Sequence, residues 1–420
     1  MMTDYRRRLF SNFFSLGIIQ GTNFLLPIVV MPFVIRRIGA DGFGVVAIAQ
    51  VVMMFFTNIS DYGFNLTATR DVSLNKHNRE ALSRIFFLVL VTRLLICVLL
   101  FAVLLVSIWL IPALRPYSSL YLLAFTTVVG QSILMNWLFQ GLERMKYIMY
   151  ISLLARIIFV ILVVAFIKTK ADNIYFIFFT GLGNLLAGML SIILAIRLLH
   201  LKLLMPGWGT ISHELRNGWH ITVSNLSVST YMYINVLVLR IFSNDAVVGY
   251  YSIAEKIILA CRQILSVYFQ GIYPQVCQLA LTSKQALLRF FRSYFLPFLG
   301  MVLAGCFVLF FFSTPIVGIF IGSHQAIPAL YLRIMSFVPF IICLNIPAYQ
   351  VLLAFHEKRI LLLVFILGTS INLLMNVLLV KHWGALGTSY IVCITETLIS
   401  FGLIYGVLSN AKTSVIKQKV

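Results

Sequence analysis

YYSIAEKIILACRQI, residues 250–264, is apolar enough to sit in lipid, yet it carries Glu255, Lys256 and Arg262 within eight positions. Advancing about 100° per residue as a helix, with Glu255 as zero, places Tyr251, Ser252, Lys256, Arg262, Gln263 and Ser266 at about −40°, 60°, 100°, −20°, 80° and 20°. Only Leu259 interrupts that arc, and Ile253, Ala254, Ile257, Ala260, Cys261, Ile264 and Leu265 cover the remainder. An ionised group at mid-bilayer costs about 3 kcal/mol on insertion scales, so such a stripe faces a partner or a wet cavity.

The rest of the 420-residue chain is as apolar: 61% hydrophobic residues, 10% charged and a mean hydropathy of +1.00. Runs of about 20 apolar residues, the length a helix needs to cross a bilayer, recur throughout. They predict an all-α polytopic membrane protein with twelve transmembrane helices near 13–34, 43–65, 85–111, 119–141, 147–167, 174–199, 219–242, 248–270, 291–313, 329–353, 360–380 and 386–409. Strand-like alternation is absent, which excludes a barrel. MMTDYRRRLF reads as the start of a retained first span, without a small-residue cleavage site behind it.

The Lys and Arg residues divide 20 to 6 between alternate loops, with 6 more inside spans, which predicts cytoplasmic termini. The net charge of +20 is then topological, and no nucleic-acid partner is expected. Six scattered cysteines without a CxxC and seven histidines without metal-ligand spacing predict neither a metal site nor a cofactor.

Halving the chain reveals a weak repeat. GVVAIAQ (44–50) aligns with GYYSIAE (249–255), and LFQGLERMK (138–146) echoes LLAFHEKRI (352–360). Two parallel six-helix bundles related by a pseudo-two-fold axis along the membrane normal follow, residues 1–205 and 206–420, the second including the connecting cytoplasmic segment. Span 2 mirrors the stripe of span 8 through Gln50, Thr57, Asn58, Asp61 and Asn65, and spans 1 and 7 add Gln20, Asn23, Asn225, Ser229 and Asn235. Pro27 and Pro32 predict a bend in span 1.

These residues divide into three groups. Arg262, Lys256, Gln263, Tyr251, Gln50, Asn58, Gln20 and Asn225 are candidates to line a cavity shared by the halves. Glu255, one heptad from Arg262 on the same face, and Asp61 are candidates for an ion pair or for ion coupling. Arg93, Arg156 and Glu396 are further deep charges, which pairing between helices would equally satisfy. For the uncharged residues, ordinary interhelical hydrogen bonds compete with a cavity role.

Three passages, LLPIVVMPFVIRRIGADGFGVVAIAQ (25–50) with SDYGFNLTATRDVS (60–73), WLFQGLERMKYIMYISLLAR (137–156) and INLLMNVLLVKHWGALGTSYIVCITE (371–396), resemble the Wzx-type O-antigen and oligosaccharide flippases of the multidrug, oligosaccharidyl-lipid and polysaccharide exporter superfamily. The resemblance covers essentially the whole chain. It implies two six-helix lobes around a cavity, no enzymatic activity, and movement of an undecaprenyl-diphosphate-linked glycan between leaflets of a bacterial inner membrane. Arg262 and Lys256 then suit a diphosphate or acidic sugar. The implied partners are membrane lipids and that glycan, with an O-antigen polymerase and a chain-length regulator as further candidates, and a functional monomer. A multidrug cation antiporter of the same superfamily is the near alternative. A polysaccharide polymerase or ligase is the distant one, because the longest outward loop, Thr314 to Pro328, holds only His324 as a titratable side chain.

Overall fold

The computed structural model describes residues 2–282, 284–322, 325–355 and 357–409; within them, the side chains of 2–20, 22–25, 27, 28, 217, 224, 228, 231, 274, 280–282, 284 and 358 are outside the description. Gln20, Asn23 and Pro27 therefore lie outside the described side chains, and His324 outside the described residues. The described chain is helical almost throughout. Lipid offers no partner to a backbone amide or carbonyl, and a helix satisfies both internally.

The chain packs as two units, Met1–Ser229 and Thr230–Val420. The first contains α1 (Met2–Asp61), α2 (Phe64–Leu74), α3 (Arg79–Leu110), α4 (Ser118–Ser132), α5 (Asn136–Gly141), α6 (Met145–Phe166), α7 (Asn173–Leu199) and the start of α8 (Trp208–Phe242). The second contains the rest of α8, α9 (Asp245–Thr282), α10 (Lys284–Phe290), α11 (Leu296–Phe311), α12 (Ser313–Ile321), α13 (Ala326–Met335), α14 (Val338–Ala354) and α15 (Lys358–Ser409). Residues 291–295 form a π-helical turn that runs into Pro297 at the start of α11.

Eight helical stretches among the described residues are long and apolar enough to cross a membrane, or nine if the two limbs of α8 count as one span. The chain is thus a polytopic membrane protein. Two of the stretches, Val29–Leu74 and Arg359–Ser409, run to 46 and 51 residues. The 38-residue α9, which carries Glu255, Lys256 and Arg262 and four glutamines beyond Lys256, is not among the eight. The segment expected as the longest outward loop is also different: TPIVGIFI within it is apolar enough to continue as α12.

The helix assignment of α1 continues through Pro27 and Pro32, and its departure from helical dihedrals comes at Gly39 (φ 76°, ψ 169°). α15 breaks in the same manner at Gly384 (φ 52°, ψ −138°). Residues with a Cβ essentially do not adopt such combinations, at a cost of about 1–3 kcal/mol. Nothing lies closer than 3.8 Å to a Cβ placed on Gly39, so the penalty there is backbone strain alone. Gly39→Ala should therefore lower the midpoint of thermal unfolding in detergent. Gly300→Ala, on α11 with open space around it, should leave the midpoint unchanged or raised. Equal midpoints for the two variants would contradict the assigned break.

In the first unit, the passages 60–73 and 137–156 pack together. Thr69 Oγ1 donates to the Trp137 carbonyl (3.2 Å), and a Cβ at Gly141 would lie 2.7 Å from the Thr69 carbonyl oxygen. Trp137, Phe86, Leu138 and Val72 are fully buried in the core that this contact closes. Lys76 and Glu143 clasp the same corner from outside at 2.6 Å. Such exposed pairs contribute about 0–1 kcal/mol, so the apolar core holds the corner.

Candidate functional site

α9 turns Tyr251, Glu255, Ile258, Leu259 and Arg262 towards a partly open cavity whose lining lies wholly inside the second unit. Met232 and Asn235 of α8, Met335 at the end of α13, and Asn372, Val392, Thr395 and Glu396 of α15 complete the lining. Tyr251 and Glu255 are buried. Lys256 and Gln263, also on α9, are partly buried and are not among the lining residues.

The ion pair across this cavity is not the one that spacing on α9 suggests. Arg262 donates through Nη2 to Oε1 of Glu396, from the distal limb of α15. Seven residues on one helix separate Glu255 and Arg262 by about 10 Å along the axis, so sharing a face does not bring them into contact. Glu396 reaches the guanidinium from across the cavity. Of the pair, the Arg262 side chain keeps 18% of its surface exposed and Glu396 only 3%.

An amide chain fixes the surroundings of Glu396. Asn376 Nδ2 donates to Asn235 Oδ1 (2.9 Å) and Asn372 Oδ1 (3.1 Å), and Asn372 Nδ2 donates to Thr395 Oγ1 (3.1 Å). All four side chains are buried. The chain thereby links α8 to both limbs of α15. On the far side, the Ser400 hydroxyl donates to the Glu396 carbonyl (2.8 Å) and accepts from Asn345 Nδ2 (3.2 Å). Sequence reasoning passed over Asn372, Asn376 and Thr395. Their signal was the i, i+4 spacing of two asparagines in INLLMN, which sets both on one helix face.

A second buried pair lies in the first unit. Arg93 of α3 donates through Nη2 to Asp61 Oδ1 (2.7 Å), with 4% and 13% of the side chains exposed. Asn65 Nδ2 also donates to Asp61 Oδ1 (2.7 Å), and Arg93 Nη1 to the Leu134 carbonyl at the end of α4 (3.3 Å). Asn58 Nδ2 donates to Ser229 Oγ (2.7 Å), and Ser229 Oγ to the carbonyl of Asn225 (2.9 Å). Gln50 and Arg156 are partly buried on α1 and α6. The polar stripe of span 2 is thus bound, at Asn58, Asp61 and Asn65, into contacts within the first unit.

Chemically, the cavity offers a guanidinium, two carboxylates and a row of amides inside an apolar bundle. Among the described residues no three His, Cys, Asp or Glu side chains converge as a metal site would require.

A "Putative O-antigen transporter" of Escherichia coli (strain K12) is 26% identical over 413 residues, spanning 97% of this chain and 99% of that protein. In fold, the chain is similar to an inward-facing multidrug resistance MATE family transporter of the MOP superfamily (TM-score 0.71, 15% identity, 96% of this chain and 98% of that one). It is also similar to the lipid II flippase MurJ in an inward closed conformation (TM-score 0.69, 13% identity, 97% and 89%). All three of these proteins are named as transporters or flippases. The model described as polysaccharide biosynthesis protein matches residues 9–280, well over half of the sequence, and the chain belongs to that family.

Proposed function

We propose that the protein is a flippase that carries undecaprenyl-diphosphate-linked oligosaccharide from the cytoplasmic to the periplasmic leaflet of a bacterial inner membrane by alternating access. The observation that carries this reading is Arg262, a guanidinium facing a cavity within an apolar helical unit. Its planar donors match phosphate oxygens, and the family and the transporter relative point to the same glycan chemistry. In this reading the breaks at Gly39 and Gly384 separate consecutive spans, so that twelve helices form the lobes 1–205 and 206–420 with both termini cytoplasmic. Lys256, Gln263, Tyr251, Gln50, Asn58, Gln20 and Asn225 serve the passage of the cargo, and Glu255 is the group that couples transport to an ion. An O-antigen polymerase would receive the product.

Arg262→Ala tests the reading. Uptake of lipid-linked oligosaccharide into proteoliposomes, normalised to folded protein, should fall at least tenfold, and uptake equal to wild type would remove Arg262 from the mechanism. Repeating the assay with and without a pH gradient checks Glu255: its replacement by Gln should abolish any acceleration by the gradient.

One observation favours a second reading. Glu255 and Glu396 outnumber Arg262 in the cavity lining, which suits a cationic cargo, and the MATE structure shares the fold. A deletion strain that keeps its surface polysaccharide and becomes sensitive to cationic drugs would establish that reading in place of the first.

A further inference from the structure

We propose that Glu396 is an internal counter-anion that holds Arg262 while the cavity is empty, and that the diphosphate of the cargo displaces it. The inference rests on the flippase reading and adds a positioning residue to it. A guanidinium that must receive an anion cannot stand bare in an apolar bundle between turnovers, since an uncompensated buried charge costs several kcal/mol. It needs a stand-in, and Glu396 Oε1 occupies that place on Nη2.

The two partners are mounted differently. Glu396 is 3% exposed, its carbonyl is held by Ser400, and its neighbour Thr395 is tied through Asn372 and Asn376 to Asn235. Arg262 is 18% exposed at the cavity and hangs on a long flexible stem. In an exchange the carboxylate stays and the guanidinium moves, turning its donors from a carboxylate to two phosphate oxygens. The bonds to the diphosphate must exceed the cost of leaving a buried carboxylate without the guanidinium. Competition by Glu396 lowers the apparent affinity for cargo by the fraction of time Arg262 is engaged. It also supplies the replacement bond that lets the diphosphate leave.

Glu396→Gln preserves shape and removes the charge. With the full chain in nanodiscs and farnesyl diphosphate as the probe, this variant should bind at least tenfold more tightly than wild type. In proteoliposomes it should lower both KM and kcat for lipid-linked oligosaccharide, because release slows. A merely structural pair would lower folded yield and leave KM unchanged or raised. The double variant Arg262→Glu with Glu396→Arg restores the pair with its ends exchanged. It should fold yet fail to bind farnesyl diphosphate, and it remains decisive should Glu396→Gln not fold. Transport by the reversed pair at the wild-type rate overturns the exchange, as does unchanged or weaker probe binding by folded Glu396→Gln beside a wild type that binds. Absence of binding by both wild type and Glu396→Gln overturns the flippase reading itself, and the exchange with it.

Discussion

Arg93→Met is expected to destabilise the protein by about 3–5 kcal/mol, the range found when one partner of a buried ion pair is removed. Arg93 ties α3 to Asp61 at the end of α1 and to the Leu134 carbonyl behind α4. Without it, Asp61 keeps only Asn65 as a side-chain donor among these contacts, and the carbonyl loses the guanidinium as well. The loss should appear as a lower thermal midpoint in detergent and a smaller folded peak on size exclusion. Asp61→Asn combined with Arg93→Met removes both charges, and a well-packed neutral pair is often no worse than the ions it replaces. The double variant should recover most of the stability. Additive losses in it would show that the two side chains do not act as a pair.

The second large effect concerns the contact of α4 with α7. A Cβ on Gly130 would stand 2.5 Å from the backbone of Asn184 and Leu185, closer than side-chain carbons approach other atoms. Cβ atoms on Gly181 and Gly188 would collide with Thr126 and Ile133 in turn. In lipid, helices gain little from apolar burial against one another, so close backbone approach through small residues supplies much of their attraction. Gln131 Nε2 donates across the same seam to Asn184 Oδ1 (3.2 Å). Gly130→Val should force the helices apart and cost about 3 kcal/mol, the upper range for overpacking. Gly183→Ala, on the partner helix α7, is the control, because its Cβ would meet nothing closer than 3.4 Å. Similar folded yields for the two variants would dismiss the seam as a source of stability.

How far the sequence carried these assignments depended on the range of the interaction. Rotation by 100° per residue is a local property, and of the residues it places on one face Tyr251, Glu255 and Arg262 line the cavity of the second unit while Lys256 and Gln263 do not. The partner of Arg262 lies 134 residues away on α15, and nothing in the periodicity of either helix selects it. Arg93 and Asp61 illustrate the same gap: both were visible as deep charges, while their pairing needed the packing of α3 on α1. The apolar runs identified a polytopic membrane protein. Span boundaries were harder to read where a helix occupies what looked like a loop, as in TPIVGIFI.

The breaks at Gly39 and Gly384 have a mechanical meaning. In each, two helical limbs change direction at a single residue instead of across a loop. One residue provides two soft torsions and negligible slack in length. Such a joint lets one limb swing while keeping its end at a fixed distance from the other, so motion at one end of the limb is delivered to the other end undiluted. A lengthened connector would absorb that motion. Inserting two or three glycines beside Gly39 or Gly384 would therefore act as a lost-motion clutch, leaving both limbs helical and severing the leverage between them.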